Sequence, residues 1–304
     1  AALKVLPEHY PIVGTNLLAS IKDVLGEAAT DEIINAWKDA FFFLADILIN
    51  VEKTIYSEQP YEGFKKFQVT RKEIESDCIT SFYLEPSDKS KIPSFEAGQF
   101  ITVRVPFDGI TTMRNYSLSN FPATDQLRIS VKKEAGSPNG YVSNYLHSEI
   151  GVGDEIELAA PTGVFTYKNQ AKKAVFLAGG VGITPLLSMA NAALLGQGVE
   201  KIDFLHASQN PGAGAFKNEL TSLSKEHSKF DDHYFYDELE TETSNEIRGY
   251  ISKDYLKNVV DVNNSNFYIC GPKSFMSAMN RNLISLGAKA EDISIEFFGP
   301  MEAL

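Results

Sequence analysis

The spacing of apolar residues divides the chain into three stretches, and the first, up to about residue 58, has a helical period. Apolar side chains recur there every three or four positions, which predicts two helices. Pro7 suits the first turn of the first helix, and Gly26 is placed to end it. Thr30 is a suitable N-cap for the second helix, which extends to about Ser57. Both helices have wide apolar faces that need a partner surface, so we predict that they form part of an α domain.

Two further stretches have the patterns of sheet proteins. From Phe64 to about Tyr167, short β runs alternate with Gly, Pro, Ser and Asp, which predicts an antiparallel sheet or barrel. From Lys172 onward, continuous apolar runs alternate with helical segments, which predicts a parallel sheet covered on both faces. The predicted strands are Ile79–Leu84, Phe100–Val105, Leu127–Lys132, Glu155–Leu158, Ala174–Ala178, Ile202–His206, His233–Tyr236 and Phe267–Cys270, and the later helices are Pro185–Leu195, Phe216–Glu226 and Lys273–Leu286.

Composition narrows the class of protein. The 304 residues include 28 basic and 40 acidic side chains, which give a formal net charge of −12. Such an acidic chain is unsuited to binding nucleic acid, and no apolar run reaches the roughly 20 residues that span a bilayer. The N-terminus also lacks a basic segment leading into an apolar one, so no signal peptide is expected. Cys78 and Cys270 are too isolated for a disulfide framework or a zinc site, which favours two thiols in a reducing cytoplasm.

The sharpest local motif is the glycine-rich run Gly179–Pro185, which lies between a predicted strand and a predicted helix. Glycines let the backbone turn tightly and approach a pyrophosphate, and the N-terminus of the following helix offers unpaired N–H groups. Many strand-to-helix connections carry glycines for packing alone. The strand–turn–helix context nevertheless favours nucleotide binding.

Two segments of the β-rich stretch carry groups suited to a cofactor. The run Arg114–Ser117 combines a planar cation for a phosphate, an aromatic ring for stacking and a hydroxyl group. An exposed, salt-bridged strand would explain the same residues. Further along, a glycine-containing turn opens a short helix with Val142 and Ser143 in its first turn, which could bind a second diphosphate. A simple loop-to-helix junction capped by Ser143 is the alternative.

Two motifs nearer the C-terminus are compatible with the same site. Cys270-Gly271 ends a predicted parallel strand, at the edge where open α/β sheets bind ligands. Cys270 could lie beside a nicotinamide ring or could be a small buried side chain. The run from Glu296 to Pro300 could be a packed C-terminus or a lid over a flavin ring.

Taken together and in order, these motifs resemble the ferredoxin–NADP reductase-like superfamily. The run from Leu6 to Gly14, Ala36-Trp37 and the run from Ile49 to Glu52 resemble the later globin helices of flavohaemoglobins. Proteins of that family join a haem globin to an FAD domain and an NAD domain. They act as nitric oxide dioxygenases, which convert NO and O2 to nitrate with NAD(P)H.

The resemblance implies a role for each matching residue. Phe100 stands where the family has a tyrosine, so it can still stack on FAD but lacks the hydroxyl contact. Glu296 would tune the flavin potential, and Tyr10 and Glu52 would hydrogen-bond around the proximal histidine of the haem. The implied cofactor-binding residues are Phe100, Arg114, Asn115, Tyr116, Ser117, Val142, Ser143, Gly180, Val181, Gly182, Ile183, Thr184, Pro185, Cys270, Gly271, Phe297, Phe298, Gly299 and Pro300.

The haem ligands are where the sequence departs from the family. The family's proximal histidine immediately precedes the position of Ala1, and the distal Tyr and Gln lie earlier still, so we assign no metal ligand in this chain. His9 adjoins Tyr10 but lies on a different helical face, and the other four histidines belong to the reductase part. We therefore expect a flavohaemoglobin that lacks the first part of its globin domain. The initial Ala, in place of Met, favours a fragment.

The expected organisation is multidomain. Residues 1–60 would be the C-terminal part of an all-α globin domain, 61–167 an antiparallel β-barrel FAD domain and 168–304 an α/β NAD(P) domain with a parallel sheet. The expected chemistry is hydride transfer from NAD(P)H to FAD, with electron transfer to haem b in the full-length protein. NADH is favoured over NADPH because the run His206–Asn210 has no arginine for a 2′-phosphate, although Lys217 or Lys225 could reach one.

Two other functions stay open at this point. A stand-alone flavin reductase or diaphorase could serve a separate oxygenase or electron carrier, but the Tyr10/Glu52 pair counts against it. A flavin-binding interaction module could dock on another subunit through its helical half. The expected partners are NAD(P)H, NO and O2, with no nucleic acid and no membrane span, together with association through the incomplete globin half.

Overall fold

The computed structural model describes residues 6–122, 124–136, 140–168 and 170–298. The chain divides into two compact units, Ala1–Phe64 and Lys65–Leu304, which we name the helical unit and the sheet unit. In the part of the chain that is described, no helix combines the length and the apolar character needed to cross a membrane.

The helical unit consists of α1 (Tyr10–Leu25) and α2 (Asp31–Ser57), with short 3-10 turns before and after α1. Pro7, predicted in the first turn of the first helix, instead begins the 3-10 turn Pro7–His9, which leads into α1 at Tyr10. Gly26 ends α1 with a φ of 54°, which explains the need for glycine there. Thr30 caps α2 by accepting a hydrogen bond from the backbone N–H of Ile33 at 3.3 Å. Both predicted helices and both of their caps are confirmed.

The first sheet of the sheet unit is antiparallel, in the order β4-β3-β6-β1-β2-β5. A single helix, α3, follows β5 and contacts both β4 and β5. This packing brings the N-terminus of α3 towards β4, which carries the Arg114–Ser117 motif. The elements are β1 (Phe64–Ile74), β2 (Ile79–Pro86), β3 (Phe100–Phe107), β4 (Ile110–Ser117), β5 (Leu127–Lys132), α3 (Tyr141–Ser148) and β6 (Glu155–Ala159).

The second sheet is parallel, in the order β10-β9-β8-β7-β11-β12. Buried apolar clusters lie on both of its faces, as continuous apolar strands require. The elements are β7 (Lys173–Gly179), α4 (Ile183–Leu195), β8 (Lys201–Ser208), α5 (Lys217–Glu226), β9 (Phe230–Tyr236), β10 (Glu246–Arg248), α6 (Lys253–Val259), β11 (Ser265–Cys270), α7 (Lys273–Ser285) and β12 (Ile293–Glu296).

The predicted strands and helices of the sheet unit are all present, with shifted ends. The helix predicted from Phe216 begins at Lys217, because Phe216 adopts the left-handed conformation just before it. Pro185 lies in the first turn of α4, which begins two residues earlier at Ile183. The prediction missed β1, β4, β10, α6 and β12. The sheets and their directions agree with the prediction, and closure of the first sheet into a barrel stays a prediction.

Candidate functional site

The glycine loop, Gly179–Gly182, connects β7 to α4 through a 3-10 turn. A Cβ on Gly182 would lie 2.2 Å from the carbonyl oxygen of Cys270, and a Cβ on Gly179 would lie 2.9 Å from Pro272. Gly180 has a φ of 52°, in the left-handed region. Glycine is therefore required here both for the turn and for the close approach of two backbones.

The strand order places this loop where open α/β sheets bind ligands. β7 lies between β8 and β11: the chain adds β8, β9 and β10 on one side of β7 and then crosses back to add β11 and β12 on the other. The crevice at the carboxyl ends of strands at such a switch point is the usual ligand site. The glycine loop and the Cys270-Gly271 motif both lie at this edge.

One cavity, of about 220 Å³, brings together four motifs that are separate in the sequence. We name it the β4 cavity, because it lies beside β4 and the N-terminus of α3 and faces part of the glycine loop. Of the predicted site residues, it gathers Arg114, Asn115, Tyr116, Ser117, Val142, Ser143, Val181, Thr184 and Phe298; Ser130, Lys132, Glu134 and Gly140 complete its described lining.

The β4 cavity offers groups suited to an anion and to an aromatic ring. Arg114 donates to the carbonyl of Met113 at 2.7 Å, which uses one of its five N–H donors. The first N–H groups of α3 have no acceptor inside the helix, so Val142 and Ser143 offer backbone donors. Burial raises the pKa of the Tyr116 phenol well above its ordinary value, which keeps the side chain neutral. These donors and this ring fit a dinucleotide with an aromatic headgroup.

A second cavity, of about 570 Å³, lies on the other side of the glycine loop. We name it the β8 cavity, since the end of β8 contributes to it. Asp237 is its acidic lining residue, and no lysine or arginine is found among its described lining residues. That lining consists of Gly179, Gly180, Ala207, Ser208, Gln209, Asp237, Tyr250, Ile251, Pro272, Ser274, Phe275, Ala278 and Met279.

The sequence analysis missed most of the β8 cavity. Tyr250 and Phe275 are aromatic, and Tyr250 is 80% exposed, which is unusual for a ring without a surface role. Two signals could have found these residues: Tyr250 directly follows a glycine with a φ of 98°, and Phe275 belongs to the Cys270-Gly271 motif.

Other predicted site residues line neither cavity. Phe100 is half-buried next to Gly163, where a Cβ would lie 3.1 Å from its ring. Phe297 packs against the apolar cluster beneath α6 and α7. Five predicted residues lie beneath the surface of the glycine loop and are buried or partly buried: Gly182, Ile183, Pro185, Cys270 and Gly271. Gly299 and Pro300 lie outside the described residues.

Glu296 and Cys270 lie opposite each other on β12 and β11. Burial raises the pKa of the Glu296 carboxyl. Burial, and then the charge of Glu296, raise the pKa of the Cys270 thiol well above its ordinary value. Cys270 is therefore a neutral, buried thiol behind the crevice and not a nucleophile.

His206 supports the glycine loop from behind, a role that the sequence did not reveal. Its Nε2 lies 3.2 Å from the carbonyl oxygen of Gly180, and its Nδ1 is buried without a hydrogen-bond partner among the described residues. Burial lowers the pKa of His206 to about 4. The ring is therefore neutral at pH 7 where it contacts the loop.

The helical unit contains the contact that the resemblance implies. The Tyr10 hydroxyl donates to Oε2 of Glu52 at 3.2 Å. Burial, then the Glu52 charge and this hydrogen bond, raise the pKa of Tyr10. His9, the one histidine in the sequence of this unit, accepts a hydrogen bond at Nδ1 from the backbone N–H of Leu6 at 3.1 Å. The His9 ring is therefore engaged with the chain ahead of it.

Comparison with known proteins identifies two domains within the sheet unit. Residues 66–167 match the family model of the oxidoreductase FAD-binding domain, and residues 176–281 match that of the oxidoreductase NAD-binding domain. Flavohemoprotein of Oceanobacillus iheyensis is 40% identical over 312 residues, covering 100% of this chain and 77% of that protein. Flavohemoprotein A of Dictyostelium discoideum is 43% identical over 318 residues, covering 99% and 78%.

Two solved structures of related proteins are also similar to this chain. A flavohemoglobin from Malassezia yamatoensis with bound FAD and heme has a TM-score of 0.86 at 25% identity, covering 98% of this chain and 76% of that one. The FAD/NAD-binding domain of nitric oxide dioxygenase from Vibrio cholerae has a TM-score of 0.70 at 30% identity, covering 78% of this chain and 99% of that one.

Proposed function

The chain belongs to the flavohaemoprotein family, and from this premise we propose that it is the NAD(P)H-oxidising FAD reductase of a nitric oxide dioxygenase. It is an oxidoreductase with FAD-binding and NAD-binding domains. In the complete protein the electrons would pass to haem and support conversion of NO and O2 to nitrate. The observation that carries the proposal is the glycine loop, whose residues line the β4 cavity on one side and the β8 cavity on the other.

Most of the implied cofactor-binding residues have a stated role in this proposal. Arg114 and the N–H groups of Val142 and Ser143 bind the FAD diphosphate, and Tyr116 and Phe298 border the flavin ring. Ser117 offers a hydroxyl to a ring atom. Gly180 lets the protein backbone approach the NADH pyrophosphate, while Gly182 lets α4 pack closely against Cys270 of β11 beneath it. As the resemblance implies, Glu296 would tune the flavin potential. The remaining residues would contact FAD: Phe100, Phe297, Gly299 and Pro300.

FAD supplies the two-electron acceptance and stepwise electron release that no protein side chain provides. The protein aligns the two rings and excludes water between them. Val181 and Thr184 face the β4 cavity from the loop whose Gly179 and Gly180 line the β8 cavity. The Thr184 hydroxyl donates to the carbonyl of Val181 at 3.0 Å, which holds this side of the β4 cavity in place.

NADH is the preferred nucleotide in this proposal. Asp237 lines the β8 cavity, and Glu238 and Glu240 line the open space that adjoins it. These carboxylates repel a 2′-phosphate. Two nearby cations already have partners: Arg248, which lines the same open space, donates through Nη2 to the carbonyls of Leu239 and Glu240, and Lys217 pairs with Glu246. Asp237→Asn should raise kcat/KM for NADPH relative to NADH, and an unchanged ratio would contradict this assignment.

The residues present do not fit haem. The Tyr10–Glu52 pair would orient an axial histidine, but the one histidine in the sequence of the helical unit is His9, which is predicted on a different helical face from Tyr10 and whose Nδ1 accepts from the N–H of Leu6. Tyr10 and Glu52 keep their proposed role in the complete protein.

The proposed domain division is 1–60, 61–167 and 168–304, with the first sheet closed into a barrel. The isolated bridge between Leu118 and Ile129 supports closure, because it links the residue after β4 to β5, and β4 and β5 are the two outer strands of the sheet order. Association through the exposed apolar side chains of α1 and α2 is part of the proposal. A cytoplasmic location stays a prediction from the two free cysteines.

An absorption spectrum taken before and after anaerobic addition of NADH tests the proposed function. Flavin bands near the usual 450 nm that bleach with NADH would support it, and a chain without flavin would refute it. A Soret band would show an iron ligand that these residues do not reveal. Arg114→Ala should lower the FAD content, whereas Arg281→Ala, which removes an exposed arginine that donates to the carbonyl of Ser277, should not.

A further inference from the structure

An ion pair between a buried arginine and a partly exposed glutamate joins the two sheets of the sheet unit. Arg128 on β5 is 6% exposed, and its Nη1 and Nη2 donate to the two carboxylate oxygens of Glu219 on α5 at 2.9 and 3.3 Å. β5 belongs to the antiparallel sheet, whereas α5 packs on β9 of the parallel sheet. The pair therefore connects the half that contains the β4 cavity to the half that contains the β8 cavity.

The residue that precedes α5 is strained and lies against the same guanidinium. Phe216 is buried and has a φ of 62°, which a bulky side chain adopts only where surrounding contacts hold it. The guanidinium carbon of Arg128 lies 4.9 Å from the centre of the Phe216 ring. Arg128 thus contacts α5 through both Glu219 and Phe216, and these contacts fix where the helix starts.

Hydrogen bonds extend from Arg128 to the β4 cavity. Its Nε and Nη2 donate to the hydroxyl and the carbonyl oxygen of Ser119 at 3.0 and 2.6 Å. The Ser119 hydroxyl lies 2.7 Å from that of Ser130, which lines the cavity. Ser117, two residues before Ser119, lines the same cavity. The arginine itself lines neither the β4 cavity nor the β8 cavity.

The same segment also holds α4, the helix that follows the glycine loop. The carbonyl oxygen of Asn120 accepts a hydrogen bond from the Ser188 hydroxyl on α4 at 2.7 Å. The side-chain oxygen of Asn120 accepts one from the backbone N–H of Arg128 at 2.9 Å. A short segment next to the β4 cavity is therefore bound to both α4 and α5.

We propose that Arg128 is a positioning residue, which with Glu219 sets the distance and angle between the nicotinamide and the flavin. The inference rests on the proposed reductase function, because hydride transfer needs the two rings in one narrow geometry. A guanidinium suits this task, since its planar fork engages a carboxylate and a loop at the same time.

Glu219→Gln is the main test, because it removes a charge from the pair and keeps the size of the side chain. Its matched control is Glu157→Gln, since Arg104 and Glu157 also form a two-point pair, at 2.9 and 2.9 Å, but within one sheet. Stopped-flow reduction of the FAD-loaded chain by saturating NADH should slow about tenfold or more with Glu219→Gln. FAD content and the half-saturating NADH concentration should stay as in the wild type, and Glu157→Gln should reduce at the wild-type rate.

A second readout does not depend on turnover. The backbone N–H of Asp77, in the antiparallel half, donates to the carbonyl of Gly212, in the parallel half, at 2.9 Å. Its hydrogen exchange in the chain without nucleotide should be faster in Glu219→Gln and unchanged in Glu157→Gln. Arg128→Lys, which keeps the charge and loses the fork, should behave as Glu219→Gln does.

These readouts separate the inference from the proposed function. A wild-type reduction rate and wild-type Asp77 exchange in both Glu219→Gln and Arg128→Lys would overturn the role of the pair. A wild-type chain that holds FAD but is not reduced by NADH would instead refute the reductase function. If the wild-type chain is not reduced by NADH but the Asp77 N–H still exchanges faster in Glu219→Gln than in the wild type, the pair holds the two halves together without serving hydride transfer. That result would overturn the inference as stated.

Discussion

The two units of the chain use similar apolar residues in opposite ways. In the helical unit large apolar side chains face outward, and Val24 and Phe43 are 84% and 71% exposed. In the sheet unit the strands bury theirs, and Phe176 and Phe204 are both 0% exposed with ring centres 5.8 Å apart. The sheet unit therefore has a hydrophobic core, and the helical unit presents its apolar side chains on its surface.

The difference shows what a hydrophobic period does and does not predict. A period of three to four residues predicts a helix with one apolar face, and both helices are present. The period does not tell whether another part of the chain covers that face. In the sheet unit the partner is supplied by neighbouring strands and helices, so the apolar pattern and the observed burial agree.

The largest expected effect is loss of core packing in the sheet unit. Phe176→Ala should lower the free energy of unfolding by about 3–5 kcal/mol, because the ring packs against Phe204 and Tyr268. Phe43→Ala should change it by less than about 0.5 kcal/mol, since that ring is exposed. Denaturant unfolding followed by circular dichroism measures both, and equal losses would contradict the contrast between the units.

Acid should weaken the sheet unit through His206. Its pKa lies at about 4 in the fold, below the 6.5 of an unperturbed histidine, so the unfolded chain binds the proton more readily. The stability contributed by the neutral ring is complete above pH 6.5 and is lost as the pH falls to about 4, by roughly 3 kcal/mol. The helical unit has no buried histidine among its described residues.

His206→Gln removes the titrating group and should flatten this part of the pH profile of unfolding. The free energies of unfolding of the variant and the wild type should therefore approach each other as the pH falls towards 4. A profile that keeps its slope in the variant would assign the acid sensitivity to other groups.

Two glycines, Gly182 in the sheet unit and Gly14 in the helical unit, differ in what a Cβ at each position would contact. Gly182→Ala would bring a Cβ to within 2.2 Å of the Cys270 carbonyl, and neither backbone can move without disturbing β11. We expect the free energy of unfolding to fall by roughly 1–3 kcal/mol and NADH binding to weaken. Gly14→Ala in α1 would meet the Phe41 ring at 2.7 Å, but that side chain can turn aside and alanine favours the helix. The Gly14 variant should therefore stay within about 1 kcal/mol of wild type by the same unfolding measurement.

Much of the site follows from the sequence because its determinants are local. The glycine loop was predicted from a strand–turn–helix pattern, and Arg114–Ser117 and Ser143 from side chains suited to a cofactor. The structure brings these motifs to one cavity.

The features that the sequence did not predict depend on contacts between distant parts of the chain. Arg128 and Glu219 are 91 residues apart, and no local pattern marks either of them as a partner. Asp237 and Tyr250 reach the β8 cavity only because β9 and the segment after β10 end at the same edge of the sheet. Strands such as β10 and β12 are too short to give a clear period.

The smallest expected effect concerns the Tyr10–Glu52 hydrogen bond of the helical unit. Tyr10→Phe removes one hydrogen bond on a partly exposed surface, so the loss of stability should be below about 1 kcal/mol. Trp37, the single tryptophan of the chain, lies on α2 and reports unfolding of this unit by fluorescence. Reduction of the flavin by NADH should be unchanged, because the residues of both cavities lie in the sheet unit. A slower reduction in Tyr10→Phe would show that the two units are coupled. It would contradict the claim that flavin reduction depends on the sheet unit alone.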